Sequence, residues 1–303
     1  MPAMRLGVSS LLWSLLRIVC FTAALCVGRG FIMRAQAPQT PQQTEARDLL
    51  NQGVQAFKNG RSDDAARLFE QAKNLDPNLL NARLYLATAY ASQYIPGAPS
   101  EENHAYGQHA VEEFRAVLQL DPQNLSAIDG IGAILFQMAA TPRPNSQTTQ
   151  SVFFDQDLAR ESKSFHEKHL QLKPQDPEPY YWIGVIDWTL SYRADRELRA
   201  QYNQSAGSRK VADADALPPA LQARYAEEWT ATIDEGIASL KKAIQLRPDY
   251  DDAMAYLNLL YRRKADAAST EYERGQLNKT ADDLVDQVMQ IKRQRAQAQA
   301  PQH

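Results

Sequence analysis

Four times along this chain a leucine, one charged residue and a proline stand together: Leu75-Asp76-Pro77, Leu120-Asp121-Pro122, Leu172-Lys173-Pro174 and Leu246-Arg247-Pro248. Proline cannot continue an α-helix, because it lacks a donor and its ring collides with the preceding turn. Each triplet therefore closes an apolar helical segment. Ten residues after each proline stands the end of a short signature: Ala87, Gly132, Gly184 and Asn258. A common offset after every stop means that the step from a closing helix to the next opening helix is made the same way each time. The variation lies elsewhere, since the prolines are 45, 52 and 74 residues apart. Such a pattern describes stacked helical units of unequal size, an all-α fold.

The shortest unit gives the pattern its name. Ala46 to Leu79 reads ARDLLNQGVQAFKNGRSDDAARLFEQAKNLDPNL and resembles the tetratricopeptide repeat, with Gly53, Gly60, Ala65, Phe69, Ala72 and Pro77 at that family's spacings. The physical roles can be read directly. Gly53 and Ala65 are small where two antiparallel helices approach, and Gly60 permits the left-handed backbone that ends a helix. Phe69 and Ala72 share the inner face of the second helix. The resemblance implies an α-α superhelix, a tetratricopeptide solenoid of about five helix pairs. Against a 34-residue period the second, third and fourth units carry 11, 18 and 40 extra residues, and the last pair another 11. Because the step between units is undisturbed, every insertion lies between helix A and helix B of a pair.

These insertions are this chain's individual feature. Gln93 to Gly107, with Pro96, Gly97 and Pro99, reads as a loop, and so does Thr141 to Gln150. From Tyr180 to Tyr202 only Gly184 interrupts good helix formers, so helix A is expected to run on. A polar loop follows from Ser205 to Ala216, and Leu217-Pro218-Pro219 opens a long helix B, where proline is tolerated in the first turn. The two long helices would project as a small subdomain. Both a tolerated elaboration and a cover over a binding site fit this reading.

The first 37 residues read as an address. Met1 to Arg5 is basic, Leu6 to Val27 is mostly apolar, and Ala35-Gln36-Ala37 has the small-x-small form of a signal cleavage site. Pro38 disfavours cleavage there, and residues 6–27 are long enough to span a bilayer. Arg17 near the midpoint would cost an uncleaved span about 2.5–3.5 kcal/mol. The expectation is a periplasmic or secreted protein after signal cleavage, with anchoring in the inner membrane as the alternative. Residues 38–44 read as a disordered Pro- and Gln-rich linker and 296–303 as a disordered tail. Between them lies one repeat domain, 45–295, with units at about 46–79, 80–124, 125–176, 177–250 and 251–295. Both cysteines, Cys20 and Cys26, lie in the N-terminal segment, so the body holds no thiol for a disulfide or thiolate metal site.

Charge and motifs narrow the function. Net charge is −3, and four of the 33 basic residues precede residue 38, leaving 29 against 36 acidic ones in the body. An acidic body argues against nucleic-acid binding and leaves the membrane to the N-terminal segment, if uncleaved. No phosphate-cradling glycine loop, nucleophile elbow or HExxH helix is present. His166 and His169 could begin a metal site. By register they hold the places of Phe69 and Ala72, so they are expected to face a neighbouring helix. The expectation is no enzyme, with no catalytic, cofactor or metal residues, and other proteins as partners. In this family helix A lines the concave surface, and register places Asn51, Asn81, Tyr85, Tyr181, Trp182, Trp188, Tyr256 and Arg262 there. Tyr, Trp and Arg dominate binding hot spots. Trp182 and Trp188 could equally pack the long fourth pair, against Trp229. A basic carboxylate clamp is missing: Leu50, Val54 and Tyr85 stand where it would be. The reading is thus a protein-binding scaffold of the cell envelope, the alternative being a ligand, metal or catalytic site under an insertion at 189–220.

Overall fold

The computed structural model describes residues 40–142, 154–205, 210–213 and 215–299. Among them ten helices follow one another and no strand occurs. They are α1 (Pro41–Lys58), α2 (Ser62–Leu75), α3 (Leu80–Gln93), α4 (Glu101–Leu120), α5 (Leu125–Ala139), α6 (Gln156–Leu172), α7 (Pro177–Ser205), α8 (Pro219–Leu246), α9 (Asp251–Ala267) and α10 (Glu271–Gln299). Odd numbers are the expected A helices and even numbers the B helices, five pairs in all.

The four stops share one backbone conformation. Asp76, Asp121, Lys173 and Arg247 have φ from −138 to −134° and ψ from 77 to 91°. Each donates its N–H four residues back, to the carbonyls of Ala72, Val117, His169 and Ala243. A following proline excludes the helical region for these residues, so the chain must leave the helix there. The first A-to-B turn is equally local in origin. Gly60 has φ 73°, and Arg61 N and Gly60 N donate to the Ala56 and Phe57 carbonyls, both at 3.0 Å. That is a complete Schellman ending, open to glycine at low steric cost.

Pairs are held by small-against-large contacts. A methyl group added to Gly53 would lie 2.5 Å from the Phe69 ring, and one added to Gly184 would lie 2.3 Å from Leu240 Cγ. On the B helices Ala65, Ala110, Ser162 and Ala281 occupy one register position and are all fully buried. Each buried leucine or phenylalanine contributes about 1.5–3 kcal/mol against exposure.

The chain forms two compact units, one through Gln93 with α1–α3 and one from Tyr94 onward with α4–α10. The sequence reading drew a single domain over 45–295. The division falls inside the second repeat, where the first insertion enters. That insertion belongs to the second unit: Thr141 Oγ1, at the end of α5, accepts from the Tyr94 hydroxyl (2.6 Å) and Gly97 N (2.9 Å).

Several expected segments differ in form. The linker at 38–44 ends early, because α1 begins at Pro41: Thr40 caps Gln43 N at 3.2 Å while the Gln43 side chain accepts from Thr40 N at 3.0 Å. This capping box with proline in the first turn starts a helix that composition alone conceals. The first loop spans only residues 94–100, since Ser100 caps α4 and the other extra residues lengthen that helix. The last insertion likewise lengthens α9 and α10, and α10 continues past Arg295 to Gln299. Most of the second insertion, residues 143–153, and the N-terminal segment lie outside the described residues. No helix among the described residues is long and apolar enough to cross a membrane.

Candidate functional site

Helix α7 carries most of the aromatic residues that matter. Tyr181 and Trp188 are seven residues apart and Tyr192 four further on, so the three lie on one stripe. Across that stripe stands α9, the next A helix. Trp188 stacks on Tyr192 (centroids 5.2 Å apart) and meets Tyr256 edge-on at 5.3 Å. Tyr181 meets Tyr256 at 5.8 Å, Tyr250 at 5.0 Å and Trp182 at 5.3 Å. Trp182 continues the series toward the preceding pair, stacking on His166 at 6.0 Å and edge-on to Phe136 at 6.0 Å. The result is a ladder of touching rings over α5, α7 and α9, with Tyr181, Trp182, Trp188, Tyr192 and Tyr256 each half-buried.

The polar tips distinguish this ladder from core packing. Buried Tyr and Trp normally find a partner for O–H or N–H. Here the Tyr181 and Tyr256 hydroxyls and the Trp182 and Trp188 indole N–H groups bond to no described residue, and none is sealed from solvent. Burial raises the Tyr181 hydroxyl pKa, with Tyr256, Asp252 and Glu178 adding to it, and burial followed by Asp252 raises that of Tyr256. Both remain neutral donors. Of the nearby charges, Glu178 accepts from the Tyr250 hydroxyl at 2.9 Å and pairs with Arg247, which lies over the Tyr250 ring at 4.1 Å. Asp252 is exposed and has neither ion pair nor hydrogen bond to a described residue.

Beneath one end of the ladder the two histidines behave oppositely. His169 holds Asp129 through Nδ1 at 2.6 Å and Asp176 through Nε2 at 3.3 Å. Burial opposes its charge, but the two carboxylates outweigh burial and raise it to about 9. His166 is lowered to about 3 by burial and then by His169. It sits over Gly132, where an added methyl would lie 3.0 Å from Nε2. Both therefore occupy helix-facing positions, as register suggested.

The register-mapped residues divide. Tyr181, Trp182, Trp188 and Tyr256 come together in the ladder. Asn51 and Asn81, in the first unit, are exposed with no side-chain hydrogen bond to a described residue. Tyr85 is half-buried and stacks on Phe69 at 5.6 Å, so it packs the first unit. Arg262 turns away to bond Asp282 on α10 at 2.7 Å. Trp229, on α8, packs against Ile186 and Leu190 of α7 and makes no ring contact with Trp182 or Trp188. The register-mapped set left out Phe136 and Tyr250, and it placed His166 only as a residue facing a neighbouring helix; Phe136 lies on α5, Tyr250 precedes α9 and His166 lies on α6.

No family model and no curated protein matches the chain. Solved structures do. MamA from Desulfovibrio magneticus RS-1 (residues 41 to the end) aligns at 18% identity and TM-score 0.52, covering 82% of this chain and 96% of its own. A second MamA structure aligns at 14% identity and TM-score 0.53, covering 86% and 98%. The chain has the tetratricopeptide fold.

Within that fold the fourth repeat is the departure. Its α7 and α8 reach 29 and 28 residues, against 18 and 14 for α1 and α2. They do not stand apart as a projecting subdomain but seat on the end of α9 through buried charges. Arg199 and Asp195 form a two-bond pair at 3.0 Å, Arg263 bonds Asp195 at 2.8 Å, and both arginines reach Asp266. Arg199 also donates to the Ala212 (2.8 Å) and Asp215 (3.0 Å) carbonyls, fastening the inserted loop. Burial raises Asp266 to about 6, with Arg263 opposing. Nearby, Lys163 bridges Asp187 and Glu235, each at 2.8 Å, and burial lifts Asp187 to about 7 despite that lysine. The space under the insertion is thus filled largely by charges paired with one another, although Asp187 Oδ2 and Asp266 Oδ2 are buried without a hydrogen-bond partner.

Proposed function

We propose that this protein is a non-catalytic scaffold that binds polypeptide partners on the ladder formed by α7 and α9. One observation carries the reading: five half-buried rings touch in series while four of their polar tips bond to nothing in the described protein. Half-exposed Tyr and Trp with free donors are the group types from which binding hot spots are built. The alternative, a ligand, metal or catalytic site under residues 189–220, has less to work with. The charges there pair with each other, and the cavity beside them, about 240 Å³ and lined by Gln156, Glu197, Arg224 and Trp229, is small.

The working place we propose is the cell envelope. The basic, apolar and small-residue order of residues 1–37 supports export, with residues 6–27 as a membrane anchor if cleavage does not occur. Crosslinking in native envelope followed by identification of the crosslinked partner tests both parts. The expected result is a polypeptide captured by the wild type and lost in Trp188→Ala and Tyr256→Ala. Saturable binding of a small molecule or metal, with no polypeptide recovered, overturns the proposal.

A further inference from the structure

The ladder's geometry restricts which polypeptide conformation it can take, and this step rests on the protein-binding reading above. We infer that the ladder receives an extended, proline-bearing segment in the polyproline II conformation, with a lysine or arginine beside the prolines. Three observations lead there.

The rings touch one another at 5–6 Å, so they leave no cage for a single inserted side chain. They form a strip of faces and edges. From Trp182 to Tyr192 the strip follows ten residues of α7, about 15 Å at 1.5 Å per residue. A polyproline II segment covers that in about five residues at 3.1 Å each, enough for two prolines three apart to meet two rings.

Each free group on the strip can donate. Indole N–H can only donate, and the tyrosine hydroxyls are held neutral beside Asp252 and Glu178. A helical partner offers no free backbone carbonyls to such donors. A polyproline II chain has no internal hydrogen bonds, and its carbonyls are available along its whole length. Flat proline rings and free carbonyls together match flat aromatic rings and free donors.

Charge supplies the third constraint. Among the charged groups flanking the ladder, Glu178 is paired with Arg247 and Arg262 with Asp282, whereas Asp252 stands exposed and unpaired among the described residues. A carboxylate at the edge of an aromatic strip, in the first turn of α9 and without an ion-pair partner among the described residues, favours a basic side chain on the partner.

The test uses the full chain and four fluorescent twelve-residue peptides read by anisotropy. One carries two prolines three apart beside an arginine. The second has its prolines replaced by alanine, the third its arginine by glutamate, and the fourth is an amphipathic helix former. We expect the first to bind, and loss of its prolines to weaken it about tenfold or more. Trp188→Ala is expected to weaken it as much, and Trp188→Phe, which keeps a ring but not the donor, about threefold. Asp252→Asn should cost about threefold and flatten the salt dependence. Circular dichroism confirms that each variant is folded. Equal binding of the proline-free peptide, or binding indifferent to both Trp188 variants, overturns the inference. If the helix former binds and Trp188→Ala abolishes it, the polyproline inference falls and the protein-binding reading stands. Failure of all four peptides, with a crosslinked partner in the envelope, has the same consequence. Failure of all four with no crosslinked partner removes both.

Discussion

The first and fourth helix pairs share one register and are stabilised by different physics. In both, a glycine on helix A receives a large side chain from helix B: Gly53 under Phe69, Gly184 under Leu240. Both end on the same extended residue before proline. Pair one stops there, with a Schellman turn after Lys58 and a core of alanine, leucine and phenylalanine. Pair four continues, and its overhang carries Asp187, Ser191, Asp195 and Arg199, four residues apart and all buried. A stripe at that spacing lies along one side of a helix. Its charged members demand partners of opposite sign, which Lys163, Arg263 and Asp266 supply, while the Ser191 hydroxyl donates back to the Asp187 carbonyl of its own helix. Apolar packing tolerates volume-conserving exchange. A buried network does not tolerate the loss of one member. The fourth repeat has gained specificity of seating where the first has interchangeable packing.

That contrast can be broken most forcefully at its centre. Asp195→Ala leaves two buried guanidinium groups without their shared carboxylate and is expected to destabilise by about 3–5 kcal/mol in denaturant unfolding. Asp64→Ala, in the exposed pairs with Arg61 and Arg67 of the first repeat, should cost about 1 kcal/mol or less. Similar losses at the two sites would mean that the overhang is not seated by its charges. Next in size is Gly184→Ala. Alanine favours a helix by about 1 kcal/mol over glycine, but the added methyl collides with the branch point of Leu240. Overpacking of about 1–3 kcal/mol should make the change net destabilising. At Gly275, where an added methyl meets nothing within 4 Å, the same substitution should stabilise by about 0.5–1 kcal/mol.

The histidines sharpen the comparison through pH. His169 holds its proton up to about 9 when folded and up to about 6.5 when unfolded. Between these values the folded state binds more protons, so its contribution is complete below about 6.5 and is lost as pH rises through about 9. His169→Val, which installs the residue type of Val117 at the same register, should remove that alkaline decline from a stability titration. His166 works in reverse. It stays neutral down to about 3, so its contribution is present above about 6.5 and is lost as pH falls. His166→Phe, matching Phe69 and Phe114, should relieve that loss on the acid side. A local effect of similar small size is expected at the first helix: Thr40→Ala removes a capping box from α1, for about 1 kcal/mol.

Much of this was legible because repeats speak through spacing. The prolines, the glycines at close approaches and the buried alanines are all sequence-local demands on backbone and volume. The aromatic patch of Tyr181, Trp182 and Trp188 was legible too, since a cluster of such residues within two turns of one helix is visible without coordinates. Its completion by Phe136, His166 and Tyr250 was not, because each is brought to the patch by a neighbouring element and not by α7 itself. The stripe Asp187, Ser191, Asp195 and Arg199 was available at i, i+4 spacing. Reading it as buried required knowing that α9 would cover it. Insertions with proline and glycine read as loops, yet the first is mostly added helix, because Ser100 caps early and the following residues favour helix.

The sequence by itself determined where helices stop and which register they share, since proline, glycine and small residues act within a few ångströms of the backbone. Only the tertiary structure decided that Arg262 turns to Asp282, that Tyr85 serves packing while Tyr181 keeps a free hydroxyl, and that the long overhang is seated on ions. Those outcomes depend on which side chain the neighbouring helix presents, and residue spacing along one chain carries no record of it.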